Sequence, residues 1–565
     1  MGYDLVFRGG RVVDGSGLPS YLADVAIKDG KIVEIGRVQE NSNRTIDVHG
    51  MVVAPGFIDH HTHMDAQIQW DPYATAEPEH GITSIVMGND GLALAPVKSG
   101  DEHELLTSFV RFEAMPRDAL EKGIPWGWHS YGDYLDGLEG RLGINVGGLV
   151  GHIPIRHCVM GQEAADRAAK PAEIQSMKKL VTEAMKGGAL GFSTNRNERH
   201  MQEGSKPIPS GLADDEEFFT LCDALGELNA GVIQSHLGQH KISQFETYDR
   251  LVRRTGRPSI GQPVVHRAAA PERWKQQLNA VAPTFRDGYL PYLRTNTIPD
   301  FQHFTLKNAR AFDQFETWKN LMFEEEETRK RAFGDPQIRH RLREELESPR
   351  QTAFRRVWDT VTVAAVANPQ NQKYAGKSVE EVGRIRNQDP LDAFLDLALE
   401  ENLETTFGKY DSGGDAKAMA EILRSPYILV GNSDAGSKVQ VSADNGYCTT
   451  LLGLWVREER VMSLEQAIHK LTFMVASVYG LEGRGLLRPG YAADLAIFDA
   501  ATVNAGEVEW LHDFPANTKR LIHRSVGMHY VVVNGRVIYQ DGRLTGDLPG
   551  QVLRGAAYRA AGPAA

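Results

Sequence analysis

The chain has 565 residues, which is too long for one ordinary hydrophobic core and indicates two or more domains. A hydrophobic fraction of 41% and a charged fraction of 24% are typical of a globular protein, and the net charge of −12 argues against a general nucleic-acid binder. The start lacks the layout of a secretory signal, no apolar run approaches the ~20 residues of a membrane span, and three cysteines cannot all pair, so we expect a cytoplasmic protein with no membrane partner.

Short alternating strands at both ends of the chain predict a small β-sandwich domain. DLVFRGGRVVDG and DVAIKDGKIVEIG near the start have the same texture as ADLAIFDA and MHYVVVNGRVIYQDGRL near the end. Gly-Gly, Asp-Gly and Asn-Gly at their junctions favour tight turns. We therefore assign residues 1–54 and 482–548 to this domain, and residues 549–565 to a tail.

The middle of the chain, residues 55–481, predicts a parallel (β/α)8 TIM-like barrel, because short apolar runs alternate with helical stretches. Several runs end in His, Asp or Asn, and such barrels carry their chemistry where the strands end. A charged stretch at about 304–347 interrupts the pattern. Its mixed charges favour a solvated helical pair; a lid or a contact within a homo-oligomer is the alternative.

The first barrel run, PGFIDHHTHMD, contains the strongest local signal for a metal. Side chains alternate along an extended strand, so His61 and His63 point the same way, as two ligands of one ion require, and His60 points toward the barrel wall. Neutral imidazole is a good ligand for zinc and related divalent ions. The alternative is a pair of packed or exposed histidines.

Three later runs end in further candidate ligands. GNDG places Asp90 at the end of the second run, where a carboxylate can complete a metal site, although Asp-Gly also simply makes a turn. GVIQSHLG and SIGQPVVHR place His236 and His266 at strand ends. A single histidine on an apolar strand is more often a packed core residue, and Pro263 disturbs the strand before His266.

The last barrel run, YILVGNSDAG, ends in Asp434, the candidate general base. An aspartate beside a metal ion can ligate it, accept a proton from an activated water and pass that proton to a leaving amine. An aspartate in a Ser-Asp-Ala-Gly turn is the alternative.

These residues, in this order, resemble the amidohydrolase superfamily and, within it, the N-acyl-D-amino-acid deacylase (D-aminoacylase) group. The resemblance covers nearly the whole chain and rests on VFRGGRVVDGSG, PGFIDHHTH, GLVGHIPIR, GALGFST, NSDAG, GLLRPGYAADLAIFD and VVVNGRVI. It implies a metal at the C-terminal face of the barrel, metal roles for His61, His63, His236 and His266, and the base role for Asp434.

The chain departs from that group at the metal site and in one loop, and so resembles a divergent branch. Asp90 stands where the group usually has a cysteine ligand in GNCG. The exchange of thiolate for carboxylate affects metal preference or occupancy, or makes Asp90 a bridge between two ions. We expect one or two Zn²⁺ ions, with Mn²⁺, Co²⁺ or Fe²⁺ as alternatives. The loop NRNERHMQEGSKPIPS also differs, which leaves the substrate open.

A small-molecule substrate that carries a carboxylate requires a convergent cation. The candidates lie after predicted strands, and for each a surface position is the alternative: Arg156, Arg196, Arg199, Arg267 and Lys438. His152 and His200 are candidates for orienting substrate or stabilising an oxyanion.

The sequence therefore predicts hydrolysis of an N-acyl amino acid or a similar linear amide. An amidohydrolase reaction on a cyclic amide, an ester or lactone, or a C–C bond is a second hypothesis, because one barrel hosts many chemistries. A catalytically inactive barrel with a binding role is a third.

Overall fold

The computed structural model describes residues 2–238, 243–267, 270–298, 300–307, 309–313, 315–347, 358–412 and 415–558. Residues 308 and 314 of the predicted insertion and 559–565 of the predicted tail lie outside this description. Within the described ranges, no helix is both long enough and apolar enough to cross a bilayer.

The strands fall into four groups along the chain. The first group is β1 (Tyr3–Val12), β2 (Tyr21–Lys28), β3 (Lys31–Gly36), β4 (Ser42–Asp47) and β5 (Val52–Pro55). The second is β6 (Phe57–Asp59), β7 (Ile82–Met87), β8 (Asn145–Gly151), β9 (Gly191–Asn195), β10 (Val232–His236), β11 (Ser259–Pro263) and β12 (Pro291–Thr295). The third is β13 (Asp300–Phe304), β14 (Val361–Ala365) and β15 (Thr406–Ser412), which precede β16 (Ile428–Val430). The last is β17 (Leu495–Phe498), β18 (Asn504–Phe514), β19 (Thr518–Val526), β20 (Met528–Val533), β21 (Arg536–Gln540), β22 (Arg543–Leu544) and β23 (Val552–Leu553).

Most helices lie between the barrel strands or in the insertion. Those before β12 are α1 (Glu102–Arg111), α2 (Arg117–Gly123), α3 (Tyr131–Asp136), α4 (His152–Met160), α5 (Pro171–Lys186), α6 (Asp215–Leu228), α7 (Ser243–Thr255) and α8 (Arg273–Arg286). Those after it are α9 (Glu316–Phe323), α10 (Glu326–Gly334), α11 (Pro336–Glu347), α12 (Val379–Arg386), α13 (Pro390–Glu400), α14 (Ala416–Arg424), α15 (Tyr447–Thr450), α16 (Leu464–Leu471) and α17 (Phe473–Tyr479).

Strands from both chain ends share one sheet, so the two ends build a single small β domain. Its order is β22-β21-β20-β17-β5-β1-β2-β3, with β4 beside β1. Apolar side chains from both ends, such as Phe7, Ile27, Leu495 and Val532, form its core. The hairpin β18–β19 forms a separate two-stranded sheet.

The protein has the TIM-like barrel fold. The order β16-β12-β11-β10-β9-β8-β7-β6 follows the chain, and the neighbouring strands are parallel. One apolar cluster takes a side chain from each strand, or from just before it, and packs against α17; its strand members are Ile58, Val86, Leu149, Leu190, Val232, Ile260, Tyr292 and Leu429. A cluster with this membership fills the barrel interior, so α17 closes one end.

The first and last barrel strands meet at the opposite end. The backbone N–H of His63 donates to the carbonyl of Ala435 at 2.7 Å. Gly436, with a φ of +84°, lies so close that a Cβ there would be 2.6 Å from the His63 carbonyl oxygen. This close approach requires glycine. It brings the residues that follow β6 and β16 together.

The predicted insertion belongs to a larger unit between β12 and β16. The strands β13, β15 and β14 form a three-stranded sheet, and α9 to α13 pack with it around their own aromatic core. The rings of Phe312 and Trp318 stack at 4.1 Å in that core. The backbone of His303 donates to Val441, in the loop after β16, so this unit contacts the barrel mouth.

Part of the segment assigned to a tail is ordered against the barrel. Val552 and Leu553 form β23, which pairs in parallel with β8. The Arg554 guanidinium reaches Asp136 at 2.6 Å and the carbonyl of Gly187 at 3.0 Å.

Candidate metal centre

Three elements deliver carboxylates and imidazoles to the same end of the barrel. His61 and His63 follow β6, Asp90 follows β7 and Asp434 follows β16. His61 and His63 are buried, with at most 1% of the side chain exposed, whereas Asp90 and Asp434 expose 11% and 14%. The carboxylates therefore form the edge that is accessible from the mouth.

The donor atoms lie within a few ångströms of one another. His61 Nε2 is 3.1 Å from Asp434 Oδ1 and 3.7 Å from Asp90 Oδ2. His63 Nε2 is 3.8 Å from Glu113 Oε1 and 3.9 Å from Asp434 Oδ1. One atom from each of His61, His63 and Asp90 can be chosen so that all three lie within 4.8 Å of one another.

These residues fit a divalent cation. Donors that surround one ion at ~2.0–2.2 Å lie about 3–4 Å apart, as these do. Nδ1 of His61 and Nδ1 of His63 are buried without a hydrogen-bond partner among the described residues, and His61 Nε2 faces the carboxylates of Asp434 and Asp90. Burial and, to a lesser extent, the charge of Arg294 lower the pKa of His61 to about 4, so its imidazole is neutral and can donate a lone pair.

Buried carboxylates behind the histidines fix the backbone that presents them. Asp59 Oδ1 accepts the backbone N–H of His61 at 3.0 Å, and Asp65 Oδ2 accepts that of Gly88 at 2.9 Å. Burial raises the pKa of both Asp59 and Asp65 to about 7. Their role is to position the segments that carry His61 and Asp90.

The two aspartates are ionised because cations are placed beside them. Burial opposes ionisation of Asp434, but the Lys438 ammonium, 2.5 Å from its Oδ2, and the nearby His61 hold its pKa well below the usual range. Burial likewise opposes ionisation of Asp90, and the Arg294 guanidinium outweighs it and holds its pKa low. Both aspartates are charged at neutral pH.

Asp90 and Asp434 both have left-handed backbone conformations, with φ of 51° and 48°. Such conformations are uncommon for residues other than glycine and occur often at functional sites. Asp90 thus forms the turn that the sequence analysis gave as the alternative, and its carboxylate also faces His61.

His236, at the end of β10, is buried on the Asp90 side of the centre. Its pKa is lowered to about 4 by burial, while the carboxylates of Asp90 and Asp434 act in the opposite direction. The ring of His200 lies 5.4 Å from it, and Phe112 lies 4.5 Å from the His200 ring. His200 is thus next to a predicted metal ligand, and the metal role of His236 stays a prediction.

His266 lies three residues beyond β11, and its side chain is 13% exposed. Its Nε2 is 4.0 Å from Asp415 Oδ2, at the start of α14. The compact group of metal-like donors found among the described residues, His61, His63 and Asp90, does not include His266 or His236. The metal role of His266 therefore stays a prediction.

His152 and Arg156 belong to a buried polar network on α4. The carboxylate of Glu217 accepts from His152 Nε2 at 2.7 Å and from Arg156 Nη1 at 2.5 Å. Arg156 also donates to the carbonyls of Ala164 and Arg167. These contacts hold α4 against α6, and a substrate role for either residue stays a prediction.

The remaining cation candidates differ in their surroundings. Arg196 donates to the carbonyl of Ala213, pairs with Asp215 at 3.0 Å and lies over the ring of Phe218. Arg199 is exposed in the loop after β9. Lys438 contacts the candidate base, Asp434, itself. A contact with substrate stays a prediction for each of these three residues.

Three residues at the centre were missed by the sequence analysis. Arg294 lies in the mostly buried strand β12, and a charged residue in such a strand is a signal of a functional site that the sequence alone offers. Gln234 exchanges hydrogen bonds with Asp90, and it lies in the run that ends at His236. Glu113 follows α1 in a loop without any recognisable pattern.

The chain matches a family model and individual proteins over most of its length. The Amidohydrolase family model matches residues 44–539. The D-aminoacylase of Alcaligenes xylosoxydans xylosoxydans is 28% identical over 98% of this chain and 97% of its own length. The N-acyl-D-aspartate deacylase of the same organism is 27% identical over 97% and 95%.

Solved structures agree in fold. A D-aminoacylase with a binuclear metal centre, for which one-metal activation and second-metal attenuation are described, has a TM-score of 0.69 and 25% identity over 98% of this chain and all of its own. The N-acyl-D-glutamate deacylase of Bordetella bronchiseptica, in complex with zinc and a phosphonate inhibitor, has a TM-score of 0.69 and 24% identity over the same shares. The second likeness shows the fold alone.

Replacement of His61 by alanine is expected to lower metal content well below that of the wild type, because one donor of the centre is lost. His80→Ala is the matched control, since His80 is equally buried but bonds to Thr449 and the carbonyl of His523. Metal is measured by plasma mass spectrometry after dialysis. Equal metal content in His61→Ala and wild type would exclude His61 as a ligand.

Glu217→Gln is expected to destabilise the protein by about 3–5 kcal/mol at pH 7, because it leaves Arg156 buried without its charge partner. Burial opposes ionisation of Glu217, but His152 and Arg156 outweigh it and lower its pKa from 4.5 to about 2. Ionised Glu217 therefore stabilises the fold above about pH 4.5, and this contribution is lost as the pH falls toward 2. Thermal unfolding of both proteins from pH 7 to pH 3 measures it; a melting difference that does not shrink on acidification contradicts the assignment.

Proposed function

The chain belongs to the amidohydrolase family, and we propose that it hydrolyses the amide bond of an N-acyl amino acid with Asp434 as general base. Its class, a metal-dependent hydrolase acting on C–N bonds other than peptide bonds, follows from the family and from its full-length similarity to deacylases. The observation that carries the proposal is the approach of Asp434 to the His61 and His63 imidazoles at the barrel mouth.

His61, His63 and Asp90 would hold the ion, and His236, His266 and Asp434 are the further candidate ligands. A divalent ion bound there supplies a Lewis acid for the amide carbonyl and lowers the pKa of a water molecule. The carboxylates and neutral imidazoles suit Zn²⁺, and Mn²⁺, Co²⁺ and Fe²⁺ accept the same donors.

The contacts of Asp434 support a role in proton transfer. Its Oδ2 is held by Lys438, so Oδ1, which faces His61, is the oxygen that accepts a proton from the attacking water. The carboxylate is ionised at neutral pH and therefore available as a base. The same oxygen then delivers the proton to the departing amine, which restores the starting state.

The substrate class is inferred from the relatives, and the surroundings of the centre supply its recognition. Two of the relatives, N-acyl-D-aspartate deacylase and N-acyl-D-glutamate deacylase, are named for N-acyl-D-amino acids. In this chain, Arg199 and His200 lie on the loop after β9, beside His236. We propose that this loop meets the substrate carboxylate.

Asp434→Asn is expected to retain bound metal but to lose on the order of 10²–10⁴-fold in kcat, because the amide cannot accept the proton. The matched control is Asp444→Asn, which neutralises another aspartate of the same loop. Metal content and kcat are measured on the same preparations. Near wild-type turnover by Asp434→Asn would exclude it as the base.

A panel of N-acetyl amino acids is expected to reveal turnover of at least one D-enantiomer and weaker turnover of its L-enantiomer. Release of the free amine is followed with neutral, acidic and aromatic side chains, with hydantoins and lactones as comparison substrates. Hydrolysis of the cyclic compounds without hydrolysis of any linear N-acyl amino acid would contradict the proposed substrate class and favour a cyclic substrate.

A further inference from the structure

A buried arginine in the centre of the barrel has no place in the mechanism above. Arg294, in β12, exposes 2% of its side chain. Its Nε donates to Asn432 Oδ1 at 2.6 Å, and its Nη2 lies 3.5 Å from both oxygens of Asp90. Its Nη1 is buried without a hydrogen-bond partner among the described residues. A buried guanidinium requires a compensating charge, and Asp90 supplies it.

Both oxygens of Asp90 lie at the same distance from Arg294, and one of them, Oδ1, also accepts a short hydrogen bond from Gln234. Gln234 Nε2 donates to Asp90 Oδ1 at 2.6 Å, and Gln234 Oε1 accepts the backbone N–H of Asp90 at 2.8 Å. The other oxygen, Oδ2, faces His61 Nε2 at 3.7 Å. Oδ1, the oxygen that a bridging carboxylate would give to a second ion, is already hydrogen-bonded to Gln234 and faces the Arg294 guanidinium, which repels a second cation there.

The charges around His61 and His63 also favour one metal ion over two. Three carboxylates approach His61 or His63 within 4.0 Å: Asp90, Asp434 and Glu113. Two of them are contacted by fixed cations, Arg294 on Asp90 and Lys438 on Asp434. One divalent ion added to three negative and two positive groups leaves a single positive charge. A second ion would leave three in a buried site, where unpaired charge is costly.

We propose that Arg294 takes the place of a second metal ion and restricts the centre to one divalent cation. The inference rests on the proposed function, since it presupposes a metal at His61 and His63. It separates this chain from the D-aminoacylase with a binuclear centre. It also explains why a carboxylate is accommodated at position 90: the guanidinium across from it supplies the matching charge.

Zinc stoichiometry tests the inference. Chelator-stripped protein is loaded with excess Zn²⁺ at pH 7.5, desalted and analysed for zinc per chain. The wild type is expected to retain one equivalent. Arg294→Met, which removes the charge but keeps the length of the side chain, is expected to retain a second and weaker equivalent. Arg294→Lys, which keeps the charge, is expected to remain at one.

The outcomes distinguish the inference from the function on which it rests. Two equivalents in the wild type, or one equivalent in a folded Arg294→Met, would overturn the role of Arg294 and leave the metal centre standing. A wild type that retains no zinc, and none of the other three divalent ions, would overturn both.

A second measurement uses the wild type alone, so that it does not depend on the folding of a variant. Protein loaded with Co²⁺ is expected to give the paramagnetic resonance signal of an isolated high-spin ion. A signal reduced by coupling between two neighbouring cobalt ions would overturn the inference.

Discussion

The candidate centre depends on the contact that closes the barrel between β6 and β16. The hydrogen bond from His63 to the carbonyl of Ala435, and the glycine at 436 that allows it, join segments almost four hundred residues apart. Without this contact the histidines that follow β6 and the aspartate that follows β16 would lie on separate edges of an open sheet. The reactive side chains follow the first and the last strand of the barrel, and closure of the barrel brings them together.

Burial then determines what these groups can do. The barrel interior beneath the centre is filled by an apolar layer and α17, so the charges above it have little solvent to stabilise them. Neutral imidazoles and ionised aspartates coexist there because Arg294 and Lys438 are placed beside the carboxylates. The loop that carries Lys438 is held from two directions. The insertion reaches Val441 through His303, and the β18–β19 hairpin reaches Val439 through Leu521. The insertion and the hairpin therefore both help to fix the loop that carries the candidate base, Asp434.

The sequence predicts the fold well because the signals are local. Apolar runs ending in His, Asp or Asn identify the barrel strands, and turn-forming dipeptides identify the β domain. His61, His63, Asp90 and Asp434 are predicted from the sequence because each follows such a run, and the structure brings them together. Arg294 was missed because β12 is short, begins with Pro291 and ends in polar residues, so its sequence is not a clear apolar run. Glu113 was missed because a loop after α1 carries no periodicity, and only the folded chain places it near His63. The extent of the insertion could not be predicted, because β13 and β15 pair across about a hundred residues of intervening chain.

The central claim is that imidazoles and carboxylates that follow the first, second and last barrel strands surround one cation. The most direct measurement is an anomalous difference map of crystals loaded with zinc, recorded on both sides of the zinc absorption edge. One strong peak is expected within bonding distance of His61, His63 and Asp90 and adjacent to Asp434. A map without density between these residues, or with the ion bound elsewhere in the chain, would contradict it.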